Sequence, residues 1–156
     1  MTWYPGKIIG DVFKGKGNPE RGILYLEKAF RDCKTKYGLL TLGKVIDSIG
    51  VAIAICDLDP KRAEGFFDEA KSHFRSWHMF NKEDVLKDFE RAYGDKGVGY
   101  LESYLQYVEK YMRNVERAIR TRDMSEMEYL ASLWDEFYEE FLKFVFVASC
   151  ICERHL

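Results

Sequence analysis

The sequence has few of the features that mark a secreted or membrane-spanning chain. It contains three prolines and four cysteines in 156 residues, and the cysteines are too scattered for the disulfide framework of a small secreted domain. The first residues have neither the basic start nor the apolar stretch of a signal peptide. No uninterrupted apolar run reaches the roughly 18 residues of a membrane helix, and the longest candidate, residues 142–152, contains Lys143 and Ser149. We therefore expect a cytoplasmic protein with reduced thiols and no membrane partner.

Amide side chains and net charge are also scarce. The chain has three asparagines and one glutamine beside 24 Lys and Arg, a bias that is typical of thermophilic proteins. A net charge of -2 gives no overall attraction to nucleic acid or to an anionic membrane, so binding of either would need a local basic patch. Hydrophobic residues at 47% and charged residues at 32% are ordinary for a folded protein with a buried core.

Glycine and lysine are concentrated at the start of the chain. Residues 1–17 contain four glycines and three lysines, and we interpret them as an N-terminal arm that is mobile between Lys14 and Gly17. The arm has a G-x4-G-K-G pattern beginning at Gly10, but Gly17 stands where a phosphate-binding loop needs a magnesium-binding hydroxyl. Residues 18–156 are expected to form a single helical domain.

One pattern of helix initiation occurs three times. A capping residue (Asn18, Asp59 or Asn81) is followed at fixed spacings by a small residue, a large apolar residue and an alanine. The three sets are Gly22, Leu26 and Ala29; Ala63, Phe67 and Ala70; and Val85, Phe89 and Ala92. They are similar to the second helix of a tetratricopeptide repeat, but they recur at intervals of 41 and 22 residues against the roughly 34 of that family. The pattern therefore indicates helices packed closely on helices.

Apolar periodicity predicts an all-α fold, a compact bundle of about six helices with a mobile Gly/Lys-containing arm. The helices are expected at about 19–36, 39–57, 60–77, 82–93, 98–122 and from 125 onward. Gly38 is the predicted C-cap of the first helix, and Ser125 with Glu128 forms a predicted capping box for the sixth. The second helix is apolar on all sides in its second half, so we expect it at the centre. Residues 144–147 are the one place where a short strand is an alternative.

Two helices have apolar spacing regular enough to predict which side chains they bury. In the third helix these are Ala63, Phe67, Ala70, Phe74 and Trp77. In the fifth helix they are Leu101, Leu105, Val108, Met112, Val115 and Ile119. His73 is expected to stack on Trp77, one turn further along the third helix.

The C-terminus contains the one cluster of soft metal ligands. Cys150, Cys152 and His155 form a C-x-C-x2-H sequence, and thiolates with imidazole suit zinc or cuprous copper. The alternative is that the cysteines are small apolar residues near a helix end. We expect no cofactor, and because no histidine has an evident nucleophilic or carboxylate partner we expect a non-catalytic protein.

A basic stripe on the fifth helix is the candidate nucleic-acid surface. It consists of Lys110, Arg113, Arg117 and Arg120, with Lys14 and Lys16 of the arm as additional cations. The alternative is a solvent-exposed face whose charges form ion pairs within the helix, since Glu109 and Glu116 stand four residues before Arg113 and Arg120.

The last helix has apolar side chains around its whole circumference. They are Phe141, Leu142, Phe144, Val145, Phe146, Val147 and Ile151. A terminal helix of a small domain rarely buries its whole circumference within its own fold. We therefore predict that the remaining apolar face of this helix contacts another protein subunit. The alternative is burial within the bundle. The leading expectation is a helical assembly module that self-associates or joins a larger complex.

Overall fold

The computed structural model describes residues 35–154, and within this range every regular element is an α-helix. We number the helices α1 (Thr35–Ile55), α2 (Pro60–Phe80), α3 (Lys82–Tyr93), α4 (Asp95–Thr121), α5 (Met124–Ser132) and α6 (Trp134–Arg154). The all-α prediction is confirmed, and residues 144–147 are helical. The predicted arm and residues 18–34 lie outside the described range.

Helix α1 forms the centre of the bundle and packs against α2, α3, α5 and α6. The predicted helix end at Gly38 is wrong, because α1 continues through that residue. A Cβ atom at Gly38 would lie 2.6 Å from Cγ2 of Val85 and 3.3 Å from Nε1 of Trp77. The glycine therefore permits close packing of α2 and α3 on α1 rather than ending a helix.

The same helix contains the most apolar long segment of the described chain. The stretch Tyr37–Ile55 is long and apolar enough to span a membrane by length and composition, with a mean hydropathy of 1.7 over its best window. This corrects the expectation that residues 142–152 are the longest candidate. Half of the window is buried inside the bundle, and the core helix of a soluble protein passes the same test.

The predictions for α2, α3 and α4 are largely confirmed. All five residues expected to be buried on α2 are buried, and so are all six on α4. Helix α3 has the predicted bounds and ends at Gly94, whose positive φ of 66° is a backbone conformation that glycine adopts readily. Helix α4 begins at Asp95, three residues before the predicted start.

The predicted sixth helix is two helices. Helix α5 ends at Ser132, and α6 begins at Trp134. The N-cap of α5 is Asp123, whose carboxylate accepts a hydrogen bond of 3.0 Å from the amide of Glu126, so the capping box predicted at Ser125 is wrong. After the break, the Trp134 ring lies so close to α1 that a Cβ atom on Gly50 would be 2.9 Å from it.

Stacked aromatic rings join α3, α4 and α6. The ring centroid of Phe144 lies 4.4 Å from that of Tyr104 and 5.7 Å from that of Phe89. Further along the same seam, Tyr111 and Phe137 stack at 4.1 Å. Such pairs add stabilisation beyond the burial of their area, and they fix the position of α6 against α4.

Candidate functional site

The seven α6 residues predicted to form an interface divide between core and surface. Four belong to the core of the bundle and expose at most 1% of their area: Phe141, Phe144, Val145 and Ile151. Leu142 and Val147 are half-buried, and Phe146 is 54% exposed. The surface part of the predicted interface is therefore one edge of α6.

This edge borders an apolar groove between α4 and α6. The groove has a volume of about 570 Å³ and is lined by Tyr100, Leu142, Lys143, Phe146 and Val147. We call it the α4–α6 groove. The hydroxyl of Tyr93 donates a hydrogen bond of 2.9 Å to the carbonyl of Val147, so the end of α3 is tied to the groove as well.

The hydroxyl of Tyr100 is a polar group without a partner beside the groove. It is buried and has no hydrogen-bond partner within the described part of the chain. Burial and the nearby Glu140 carboxylate raise the pKa of Tyr100 to about 12, so the phenol stays protonated at neutral pH. A buried donor without an acceptor is costly.

The four basic residues of α4 are exposed, but two of them have acidic partners. Arg117 lies 3.5 Å from Glu126, and Arg120 lies 3.5 Å from Glu116 and 3.7 Å from Asp68. The predicted Glu116–Arg120 pair is thus present. Lys110 and Arg113 are exposed on the same helix, and Lys14 and Lys16 lie outside the described range. The nucleic-acid surface stays a prediction.

Only part of the predicted metal cluster falls on described side chains. Cys150 is a half-buried free thiol, while the side chains of Cys152 and His155 lie outside the described set. Among the side chains that are described, no group of three or more His, Cys, Asp and Glu could hold a metal ion.

A second surface feature is a cleft between α2 and α4, which we call the α2–α4 cleft. Its volume is about 330 Å³. Its apolar lining consists of the mostly buried Phe67, Phe74 and Met112. Its charged or titratable lining consists of Lys71, His78, Glu109, Arg113 and Glu116.

Two polar pairs connect the helices across this cleft. Nζ of Lys71 lies 2.8 Å from Oε2 of Glu116, and Nε2 of His78 lies 3.4 Å from Oε1 of Glu109. The hydrogen bond from Lys71 lowers the pKa of Glu116, which therefore remains a carboxylate. Burial and the charge of Lys82 lower the pKa of His78, so the imidazole is neutral at pH 7.

The ring of His78 also packs on two aromatic neighbours. Its centroid lies 4.7 Å from that of Phe74 and 5.4 Å from that of Trp77, both edge to face. The histidine in contact with Trp77 is therefore His78, not His73 as expected. Sequence reasoning did not find the cleft. The available signal was a seven-residue spacing of basic residues on α2 (Lys71, His78) and of acids on α4 (Glu109, Glu116).

Comparison with protein-family models, with curated proteins and with solved structures finds no match to this chain.

Proposed function

We propose that this protein is a non-catalytic helical assembly module that pairs with a second copy of itself through the α4–α6 groove. The observation that carries the proposal is the position of Phe146, a large apolar side chain that is 54% exposed at the rim of an apolar groove. Exposed apolar surface gathered in one patch is characteristic of interaction sites.

A second copy of the chain is a suitable occupant of the groove, because a projecting aromatic ring and a recess lie side by side on the same face of the protein. A two-fold dimer uses the same patch on both subunits, so the patch must be complementary to itself. Phe146 supplies the projecting ring, and the space bordered by Tyr100, Leu142 and Val147 supplies the recess. In the dimer, each Phe146 ring would enter the recess of the other copy.

The charges on α6 favour the same arrangement. Glu139 and Glu140 precede Lys143 by about one turn, and Lys143 lies at the groove. If two α6 helices cross antiparallel near Leu142, Lys143 of each copy approaches the acids of the other. Within one copy, Lys143 is 3.2 Å from Glu140. In the dimer, Lys143 would again pair with a glutamate, and both Glu139 and Glu140 of the other copy would be near it.

The test is sedimentation velocity on the wild type, on Phe146→Asp and on a matched control. Tyr129→Asp is the control, because Tyr129 is an aromatic residue with 59% exposure on α5 and does not line the groove. We expect concentration-dependent dimers for the wild type and for Tyr129→Asp. We expect Phe146→Asp to sediment as a monomer that remains folded, as judged by its helical circular dichroism.

Two results would overturn the proposal. One is a wild-type protein that remains monomeric throughout the micromolar range. The other is a Phe146→Asp variant that dimerises as well as the wild type does, since a charge cannot be buried in an apolar recess without a large desolvation cost.

A further inference from the structure

The α4 edge of the α2–α4 cleft carries one anion and one cation that are not neutralised. The polar partner of Glu109 across the cleft is His78, and that imidazole is neutral at pH 7 because burial lowers its pKa. Arg113 is exposed and makes no ion pair within the described part of the chain. Glu109 and Arg113 are four residues apart, a spacing that allows a helical ion pair, but the carboxylate faces His78 instead.

The rest of the cleft is either apolar or already paired. Phe67, Phe74 and Met112 form its apolar lining, and they are mostly buried, so they present fixed surfaces. The remaining charges, Lys71 and Glu116, bind each other at 2.8 Å. A ligand in this space therefore meets an apolar surface, a carboxylate whose polar partner is a neutral imidazole, and a guanidinium that makes no ion pair within residues 35–154.

We propose that the α2–α4 cleft binds a small zwitterion with an apolar body, a molecule of the α-amino-acid class. The carboxylate of the ligand would pair with Arg113, its ammonium group with Glu109, and its apolar side chain would lie on Phe67, Phe74 and Met112. This proposal is independent of self-association, because the cleft and the α4–α6 groove share no lining residue.

Three properties of the cleft favour this ligand class over a simple anion or cation. The lining charges sum to zero with His78 neutral, so a singly charged ligand would leave either Glu109 or Arg113 without an oppositely charged partner and partly desolvated. Arginine recognises carboxylates with two parallel hydrogen bonds. Side chains four residues apart on a helix are about 5–6 Å apart at Cβ, and Glu and Arg are long enough to converge on charges attached to one carbon.

The test is an NMR titration of protein labelled at the methionine methyl groups, with the Met112 resonance as the reporter. L-phenylalanine is the probe. The comparison compounds are N-acetyl-L-phenylalanine, which lacks the ammonium group, and phenethylamine, which lacks the carboxylate. We expect L-phenylalanine to shift the Met112 methyl resonance saturably, and both analogues to bind at least about tenfold more weakly because each loses one charge-assisted contact.

Variants assign the two charges. Glu109→Gln and Arg113→Gln are each expected to weaken binding of L-phenylalanine by about tenfold. Glu83→Gln and Lys87→Gln are the matched controls, because these residues form an exposed ion pair on α3 and do not line the cleft; they are expected to bind like the wild type.

Any of three results would overturn the proposal. The first is the absence of a saturable shift at Met112 up to millimolar L-phenylalanine. The second is equal binding of the probe and either analogue, which would indicate an anion or cation site instead. The third is binding that survives both Glu109→Gln and Arg113→Gln. The analogue series uses the wild-type protein, so it decides the matter even if a variant fails to fold.

Discussion

Gly97 of α4 lies directly against the main chain of α3 at Phe89. A Cβ atom added to Gly97 would be 2.6 Å from the carbonyl oxygen of Phe89 and 2.7 Å from Cβ of Tyr93. This approach follows the turn at Gly94 and brings Phe89 to within 6.4 Å, centroid to centroid, of the stacked ring of Tyr100. Since Tyr100 lines the α4–α6 groove, the glycine contact helps to set the shape of that groove.

Gly97→Ala is therefore expected to destabilise the protein, by about 1–3 kcal/mol as in other cases of overpacking. The contact is with backbone, which cannot move aside as a flexible side chain does. The free energy of unfolding by urea is the measurement. Gly99→Ala is the matched control two residues along α4, where a Cβ atom would meet nothing within 4 Å; it should gain up to about 1 kcal/mol of helix propensity. Equal effects of the two substitutions would contradict this packing.

The hydrogen bond between Thr35 and Asp88 joins the start of α1 to α3. The Thr35 hydroxyl donates to Oδ2 of Asp88 at 2.6 Å, and both residues are buried. Thr35→Val should cost about 1–3 kcal/mol, because the carboxylate loses its buried donor. Thr41→Val provides the comparison, since the Thr41 hydroxyl donates a surface hydrogen bond to the carbonyl of Tyr37 and its loss should matter little. A similar loss of unfolding free energy in both variants would argue against a special role for Asp88.

His78 should make stability pH-dependent. Burial and Lys82 lower its pKa from the ordinary value of 6.5, so on acidification the unfolded chain takes up this proton before the folded chain does. Its contribution to stability is complete above 6.5 and is lost as the pH falls through the folded-state pKa. Comparing urea midpoints at about pH 7.5 and about pH 5.5, we expect a fall for the wild type and a smaller fall for His78→Gln.

His73→Gln is the matched comparison for this pH effect, because it removes a histidine of the same helix that does not line the cleft. Glu116 provides a separate effect at lower pH. Its pKa is lowered below the ordinary value of 4.5, chiefly by the hydrogen bond from Lys71, so its contribution disappears only below that value. If the urea midpoint of His78→Gln fell between the two pH values by as much as that of the wild type, the pH dependence would not come from His78.

The N-cap of α5 is Asp123 in the structure, whereas the sequence predicts Ser125. Asp123→Ala should cost about 1 kcal/mol, because its carboxylate caps the helix through the Glu126 amide. Ser125 lies inside α5 and is exposed, so Ser125→Ala should be close to neutral or slightly stabilising. Thermal unfolding of both variants measures this, and the reverse order of stability would restore the capping box at Ser125.

The features predicted correctly are those that depend on neighbours along one helix. The buried face of α2, from Ala63 to Trp77, and the end of α3 at Gly94 follow from the periodicity and from glycine at a helix end. Gly38 has the same local signal but a different role, because its neighbours are Trp77 and Val85, which lie 39 and 47 residues further along the sequence. Local pattern cannot distinguish a C-cap glycine from one required by close packing.

The two surface features illustrate the same limit. The sequence identified Phe146 as apolar surface, but its groove also needs Tyr100, which lies on another helix. The α2–α4 cleft depends on which residues of α4 face Lys71 and His78. The sequence of α2 or of α4 alone does not specify how the two helices are aligned against each other. Helical spacing predicts a pair between Glu109 and Arg113, whereas in the fold the Glu109 carboxylate lies against His78.

The most direct test of self-association is an isotope-filtered NOE experiment on an equal mixture of ¹³C-labelled and unlabelled wild-type protein. Only contacts between copies survive the filter. Assembly through the α4–α6 groove should give cross-peaks from the Phe146 ring protons of one copy to the methyl groups of Leu142 and Val147 of the other. A mixture that dimerises without these cross-peaks, or that yields no contact between copies at millimolar concentration, would contradict assembly through the α4–α6 groove.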